Sequence, residues 1–178
     1  VYRIKPHPSC NLLLLVGLKG AGKTFLGGVL EKYLGIKFLR IEPLFLELMR
    51  GEPDLAGIPL EQKGFQRVID QLNELSEDYN HLCIESTGAA CTFPELLAAL
   101  RQGYRVLLIR VKAPLNVCTE RVMSRDTAAH IPVSDDRLQA INAVASQVSL
   151  PWNLEIDNTT FQDESALVKA VEPLLGQG

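Results

Sequence analysis

The chain has 178 residues, 47% of them apolar and 22% charged, with a formal net charge of −3. That size and balance suit a single soluble domain with a proper core, spanning 1–178, and exclude a disordered or disulfide-stapled chain. The slight acidity argues against a broad nucleic-acid surface, and no stretch nears the roughly 18 consecutive apolar residues of a membrane span.

Leu12–Val16 is an unbroken apolar run that reads as a buried strand. Directly after it come Gly17, Leu18, Lys19, Gly20, Ala21, Gly22, Lys23 and Thr24, which spell GxxxxGKT. Phe25 to Leu34 then reads as a helix. Strand, glycine-rich loop and helix in that order are the context the phosphate-binding P-loop requires. Glycines let successive N–H groups converge on one concavity, and the helix N-terminus adds partial positive charge there. In such a loop Lys23 reaches the β- and γ-phosphates and the Thr24 hydroxyl ligates Mg²⁺. Lys19 adds a charge that serves the phosphates or faces solvent.

A second strand is read at Ile36–Ile41, with Glu42 at its end, and Pro43 opens a short helix through Arg50. Gly51 to Ile58 forms a loop. Phe65, Val68, Ile69, Leu72 and Leu75 recur at helical spacing. His81–Glu85 is a third strand, and Ser86 to Ala90 a loop of small residues. A helix over Pro94–Arg101, a strand over Arg105–Val111 and a helix from Pro114 to Arg125 follow. Residues 126–133 read as a short lid-like loop. Ser134 is the expected N-cap of a helix striped by Leu138, Ile141, Ala145 and Val148. Leu154–Ile156 is the fifth strand, and Asp163–Val171 the last helix. The alternation predicts a parallel α/β sheet whose ligands collect beyond the carboxyl ends of its strands.

Several strand ends carry chemistry. Glu85, closing Leu82-Cys83-Ile84-Glu85, has the Walker B pattern of a carboxylate that holds the Mg²⁺ shell. Glu42 is either a base beside an acceptor hydroxyl or an acid favoured by a helix start. Arg121 and Arg125 stand four residues apart, on one helix face, pointing toward the lid. Arg67 lies on the long third helix. His130 is read first as a solvated loop histidine and second as a phosphate or acceptor contact. Asp157 and Asn158 close the fifth strand. The cysteines, Cys10, Cys83, Cys91 and Cys118, form no CxxC pair and fit a reducing cytoplasm. No signal peptide is read, and Val1 in place of Met leaves a few residues to be expected before it.

This arrangement resembles the small P-loop kinases of the shikimate kinase, gluconate kinase and adenylate kinase group. The resemblance implies a three-layer P-loop nucleoside triphosphate hydrolase fold. Its five-stranded parallel sheet would run in the order 2-3-1-4-5, with helices on both faces. It also implies Mg-ATP as donor and a small-molecule hydroxyl as acceptor, with no membrane partner and a monomer or dimer as the working unit. The nucleotide would be held by Gly17 to Phe25, Arg121, Asp157 and Asn158. Thr24 and Glu85 would hold the metal. Lys23, Arg125 and Glu42 would be catalytic, and Glu42, Arg67, Ser86, Thr87 and Gly88 would meet the acceptor. The sequence departs from the shikimate kinase pattern at Glu42, where similar kinases place an aspartate and shikimate kinases carry a second one further on, and in three other places. The expected Ser-Thr-Gly-Gly-Gly is Ser-Thr-Gly-Ala-Ala, the arginine of the Phe-Arg pair comes one residue late, and the lid lacks an arginine. Three alternatives follow: a nucleoside or nucleotide kinase of the adenylate kinase type, with Arg40, Arg50 and Arg67 the cations placed to hold a monophosphate; a nucleic-acid-end kinase, which the net charge disfavours; or a regulatory nucleotide-binding NTPase with no acceptor.

Overall fold

The computed structural model describes residues 2–125 and 130–176. Five strands, β1 (Asn11–Val16), β2 (Lys37–Phe38), β3 (His81–Ser86), β4 (Arg105–Lys112) and β5 (Leu154–Asp157), form one parallel sheet. Their order is β2-β3-β1-β4-β5, as the resemblance implied. The helices are α1 (Lys23–Leu34), α2 (Ile41–Gly51), α3 (Gly57–Leu75), α4 (Phe93–Gly103), α5 (Leu115–Ser124), α6 (Asp135–Ala145) and α7 (Glu164–Leu175).

β1 explains the layering. All six of its residues are buried, and side chains alternate between the two faces of a strand. Leu12, Leu14 and Val16 pack with Val68, Ile69 and Leu72 of α3 and Leu96 and Leu100 of α4. Leu13 and Leu15 pack on the other face with Leu26, Val29 and Leu30 of α1 and Leu167 and Val171 of α7. A continuous apolar run is the pattern of a strand covered on both sides.

The element bounds differ from the sequence reading in instructive ways. The second strand was expected over Ile36–Ile41, but β2 pairs only at Lys37 and Phe38. Leu39 still donates its N–H to the Cys83 carbonyl at 2.9 Å. Ile41 already belongs to α2, so Glu42 stands in that helix's first turn rather than at a strand end. There its charge complements the helix N-terminus. α5 stops at Ser124, and Arg125 is its extended C-cap (φ −86°, ψ 158°). Arg121 and Arg125 therefore do not share a continuous helix face. Ser86 is the last residue of β3 rather than the first of a loop. The Ser134 hydroxyl caps α6 as expected, accepting from the Arg137 N–H at 3.3 Å. Of the lid reading, residues 126–129 lie outside the described residues.

Because both faces of β1 are sealed, Leu13→Ala and Leu14→Ala are each expected to cost about 2–5 kcal/mol. Urea unfolding of the two variants checks this. A sheet covered on one side alone would give a large loss for only one of them.

Candidate functional site

The P-loop is shaped by what holds its carbonyls. Arg121 of α5 donates through Nη1 to the carbonyls of Gly20 (3.4 Å) and Ala21 (3.3 Å). Its Nη2 donates to the carbonyls of Asn158 (2.8 Å) and Thr159 (3.0 Å). The Asn158 amide, just past β5, donates to the Ala21 carbonyl at 2.8 Å. Asn142 of α6 accepts the Lys19 N–H at 2.8 Å and donates to the Lys19 carbonyl at 3.3 Å. Asn142 and Asn158 are both almost fully buried. Gly22 is needed for two reasons. Its φ of +94° is left-handed, and a Cβ there would overlap the Asn158 amide.

Lys23 is buried, and its ammonium donates to the carbonyls of Gly17 (2.8 Å) and Leu18 (2.7 Å). Burial pushes its pKa down to about 8, although the Glu85 carboxylate works the other way. The Thr24 hydroxyl donates to both oxygens of Glu85, at 3.1 and 2.9 Å. Parallel pairing of β1 with β3 sets Glu85 beside Leu15, two residues before the loop. A hydroxyl and a carboxylate in contact at the mouth of a P-loop are a hard-oxygen donor set of the kind that suits Mg²⁺. Among the described residues no cluster of three or more acidic, histidine or cysteine ligands forms a separate metal site.

These groups open onto a cavity of about 540 Å³. Lys19, Gly20, Gly22, Lys23, Thr24 and Phe25 line the loop side, with Arg121 and Phe161 beside them. The Arg121 guanidinium lies 4.3 Å from the Phe161 ring centroid, and Phe161 meets Phe25 edge to face. On the far side stand Arg40, Glu42, Phe45 and Phe65 from the α2–α3 pair, Ser86 and Thr87 after β3, and Arg125, His130 and Ile131.

Glu42 is the junction of the two sides. Its carboxylate lies 3.6 Å from the Lys19 ammonium and 3.3 Å from His130 Nδ1. It also accepts the Ile131 N–H at 3.0 Å. Partial burial pushes its pKa up, but Lys19, the Ile131 amide, Arg125 and His130 together outweigh that and hold it below the usual carboxylate range. Lys19 in turn is lowered by burial, against the pull of Glu42.

Other predicted residues sit elsewhere. Arg67 is half-buried on α3 and does not line the cavity; Phe65, two residues earlier, does. Gly88 is also outside the lining. It makes a turn with φ +74°, in which the Ser86 and Thr87 hydroxyls accept the N–H groups of Gly88 (3.0 Å) and Ala89 (3.2 Å). Asp157 faces a second cleft of about 330 Å³ behind the loop, with Gly17, Leu18, Lys112 and Pro114. Its carboxylate is held low by the Thr159 hydroxyl and N–H. Ala21 is fully buried beneath the loop. Sequence reasoning missed Asn142, Phe161, Phe45 and Ile131, and named Arg40 only for the nucleotide-kinase alternative. An asparagine inside the apolar stripe of α6 was the one visible signal among them.

No protein-family profile matches the chain. It is 24% identical over 152 residues to shikimate kinase 1, chloroplastic, of Arabidopsis thaliana, covering 84% of this chain and 49% of that protein. The chain thus spans about half the length of that curated relative. Among solved structures, an unliganded sugar kinase from Janibacter superposes with a TM-score of 0.65 at 14% identity, over 95% of this chain and 99% of that one. A shikimate kinase from Acinetobacter baumannii in complex with shikimate gives a TM-score of 0.55 at 23% identity, over 94% of each. In sequence and fold the chain is similar to the small P-loop kinases of the shikimate and sugar kinase group.

Two outcomes follow from the loop geometry. The lysine of a P-loop meets phosphate as a cation, so on that pattern Mg-ATP affinity is expected to be level below about pH 8 and to fall above it. Titration with a fluorescent ATP analogue from pH 6.5 to 9.5 checks this, with Lys23→Met giving a weak, flat profile. Asn158→Ala removes the shorter of two bonds to the buried Ala21 carbonyl, leaving it the Arg121 contact at 3.3 Å, at an expected cost of about 0.5–1.5 kcal/mol. Calorimetric unfolding and the ATP Kd should both register it.

Proposed function

We propose that this chain is an ATP-dependent phosphotransferase that moves the γ-phosphoryl of Mg-ATP to a hydroxyl of a small molecule. One observation carries the reading. The phosphate-binding loop and the α2–α3 pocket line one continuous cavity, with Glu42 and Arg125 between them. A nucleotide-binding module without an acceptor has no need of the second half.

In this reading the loop amides and Lys23 hold the phosphates, and Arg121 with Phe161 walls the base. Thr24 and Glu85 would hold Mg²⁺, which neutralises phosphate charge when bound. Arg125, whose Nη2 is buried without a hydrogen-bond partner among the described residues, would meet the charge that develops on the transferred group. Glu42, kept ionised by its neighbours, would hold and orient the acceptor hydroxyl and take its proton. The nucleotide-kinase alternative needs several cations around a monophosphate. Of Arg40, Arg50 and Arg67, only Arg40 lines the cavity. The four cysteines are free, and among the described residues no helix is long and apolar enough to cross a membrane.

The test is ADP release measured with and without a broad panel of hydroxylated metabolites. Acceptor-dependent stimulation is expected, and turnover indifferent to every acceptor overturns the proposal. With a working acceptor, Glu42→Gln should lower kcat by about 10²–10⁴-fold while leaving the ATP Kd within a few-fold. Lys23→Ala should weaken Mg-ATP binding to the level of Lys23→Met.

A further inference from the structure

The acceptor half of the cavity is more apolar than a sugar-like substrate would need. Ile41, Phe45, Phe65, Ala90 and Ile131 face it. The Phe45 and Phe65 rings meet at 70° with centroids 5.4 Å apart. Phe45 is seated against Gly64 of α3, where a Cβ would run into its ring, so the aromatic wall is fixed by the close approach of two helices. The hydroxyls of Ser86 and Thr87 accept hydrogen bonds from their own turn, which leaves each its O–H to donate. Two guanidiniums on this side have no acidic partner among the described residues: Arg125, already given to the transferred phosphoryl, and Arg40. Arg40 lines the cavity, and its Nε is buried without a hydrogen-bond partner. A further cation near the pocket floor, Lys19, is spent on Glu42.

Each buried hydroxyl of a polyol must find a partner or lose its hydration. The five apolar side chains supply none, so the partners on this side are Arg40, Glu42 and the Ser86 and Thr87 hydroxyls at its edge. An aromatic ring instead gains apolar contact and edge-to-face packing from it. A guanidinium with an unused N–H is matched by an oxyanion, which it grips through two parallel hydrogen bonds. One ionised carboxylate, Glu42, lies within the same pocket to orient a single hydroxyl.

We propose that the phosphoryl acceptor is an aromatic alcohol bearing one anionic group: the ring lies on Phe45 and Phe65, the anion on Arg40, and the hydroxyl at Glu42. This rests on the phosphotransferase reading for its chemistry and on the pocket alone for its recognition. The acceptor oxygen forms the new bond to the γ-phosphorus, and the bond from that phosphorus to the β–γ bridging oxygen breaks. ADP leaves with the electron pair, and the hydroxyl proton passes to Glu42.

Four probes separate the parts of the idea: 4-(hydroxymethyl)benzoate, uncharged benzyl alcohol, shikimate and gluconate. Calorimetry with each, in the presence of a non-hydrolysable ATP analogue, reads recognition. ADP release with ATP, together with phosphorus NMR of the product, reads transfer. 4-(Hydroxymethyl)benzoate is expected to bind at least about tenfold more tightly than either polyol and than benzyl alcohol. Arg40→Met should remove that advantage over benzyl alcohol while leaving benzyl alcohol binding unchanged. Equal or tighter binding of shikimate or gluconate overturns the inference, as does no binding of the aromatic probe. Equal binding of benzyl alcohol overturns the anionic part, and this wild-type comparison stands even if the Arg40 variant does not fold. Aromatic binding without ADP release sinks the phosphotransferase reading and leaves the pocket assignment standing. Transfer to a polyol alone does the reverse.

Discussion

Everything in this site depends on the P-loop carbonyls being held by side chains. A backbone that presents its N–H groups to one concavity must send its C=O groups elsewhere, and buried carbonyls need donors. Here the donors come from three elements far apart in sequence: Arg121 of α5, Asn142 of α6 and Asn158 after β5. Asn142 also takes the N–H of Lys19. The loop is therefore shaped before any ligand arrives, which is what electrostatic recognition of phosphate requires. Lys23 satisfies two further carbonyls and so stays in place at the floor of the loop.

The two halves of the cavity are built on different principles. The loop side is polar, converging and locked by buried amides. The α2–α3 side is a helix pair with an aromatic lining. Glu42 joins them because α2 begins early, at Ile41. That early start turns a residue expected at a strand end into a first-turn acid whose carboxylate reaches Lys19, His130 and Ile131.

The fold was legible in the sequence to the degree that local pattern determines it. The fully apolar Leu12–Val16, the glycine-rich loop and the alternation of elements led to the observed sheet order. Thr24 and Glu85 were legible because parallel strands bring their carboxyl ends together. What escaped was whatever depends on the angle at which two helices meet. Arg67 and Phe65 are two positions apart on α3, yet only Phe65 reaches the cavity. Asp157 and Asn158 are adjacent, yet one faces a rear cleft while the other is buried against the loop. Arg125 lies past the end of α5, where helical spacing no longer says where a side chain points. No periodicity encodes such choices, because they are settled by tertiary packing.

The contacts around Lys19 close on themselves. Its side chain holds Glu42, Glu42 holds the backbone of Ile131, the chain from there runs on into α6, and Asn142 of α6 returns to the backbone of Lys19. A closed circuit of this kind cannot yield at a single joint. Drawing α2 away from the loop strips the partners from Glu42, and drawing α6 away strips them from Lys19. An opening that parts the α2–α3 side from the loop must therefore break the Lys19–Glu42 pair or the Glu42–Ile131 bond, so the two walls of the cavity are tied through one carboxylate.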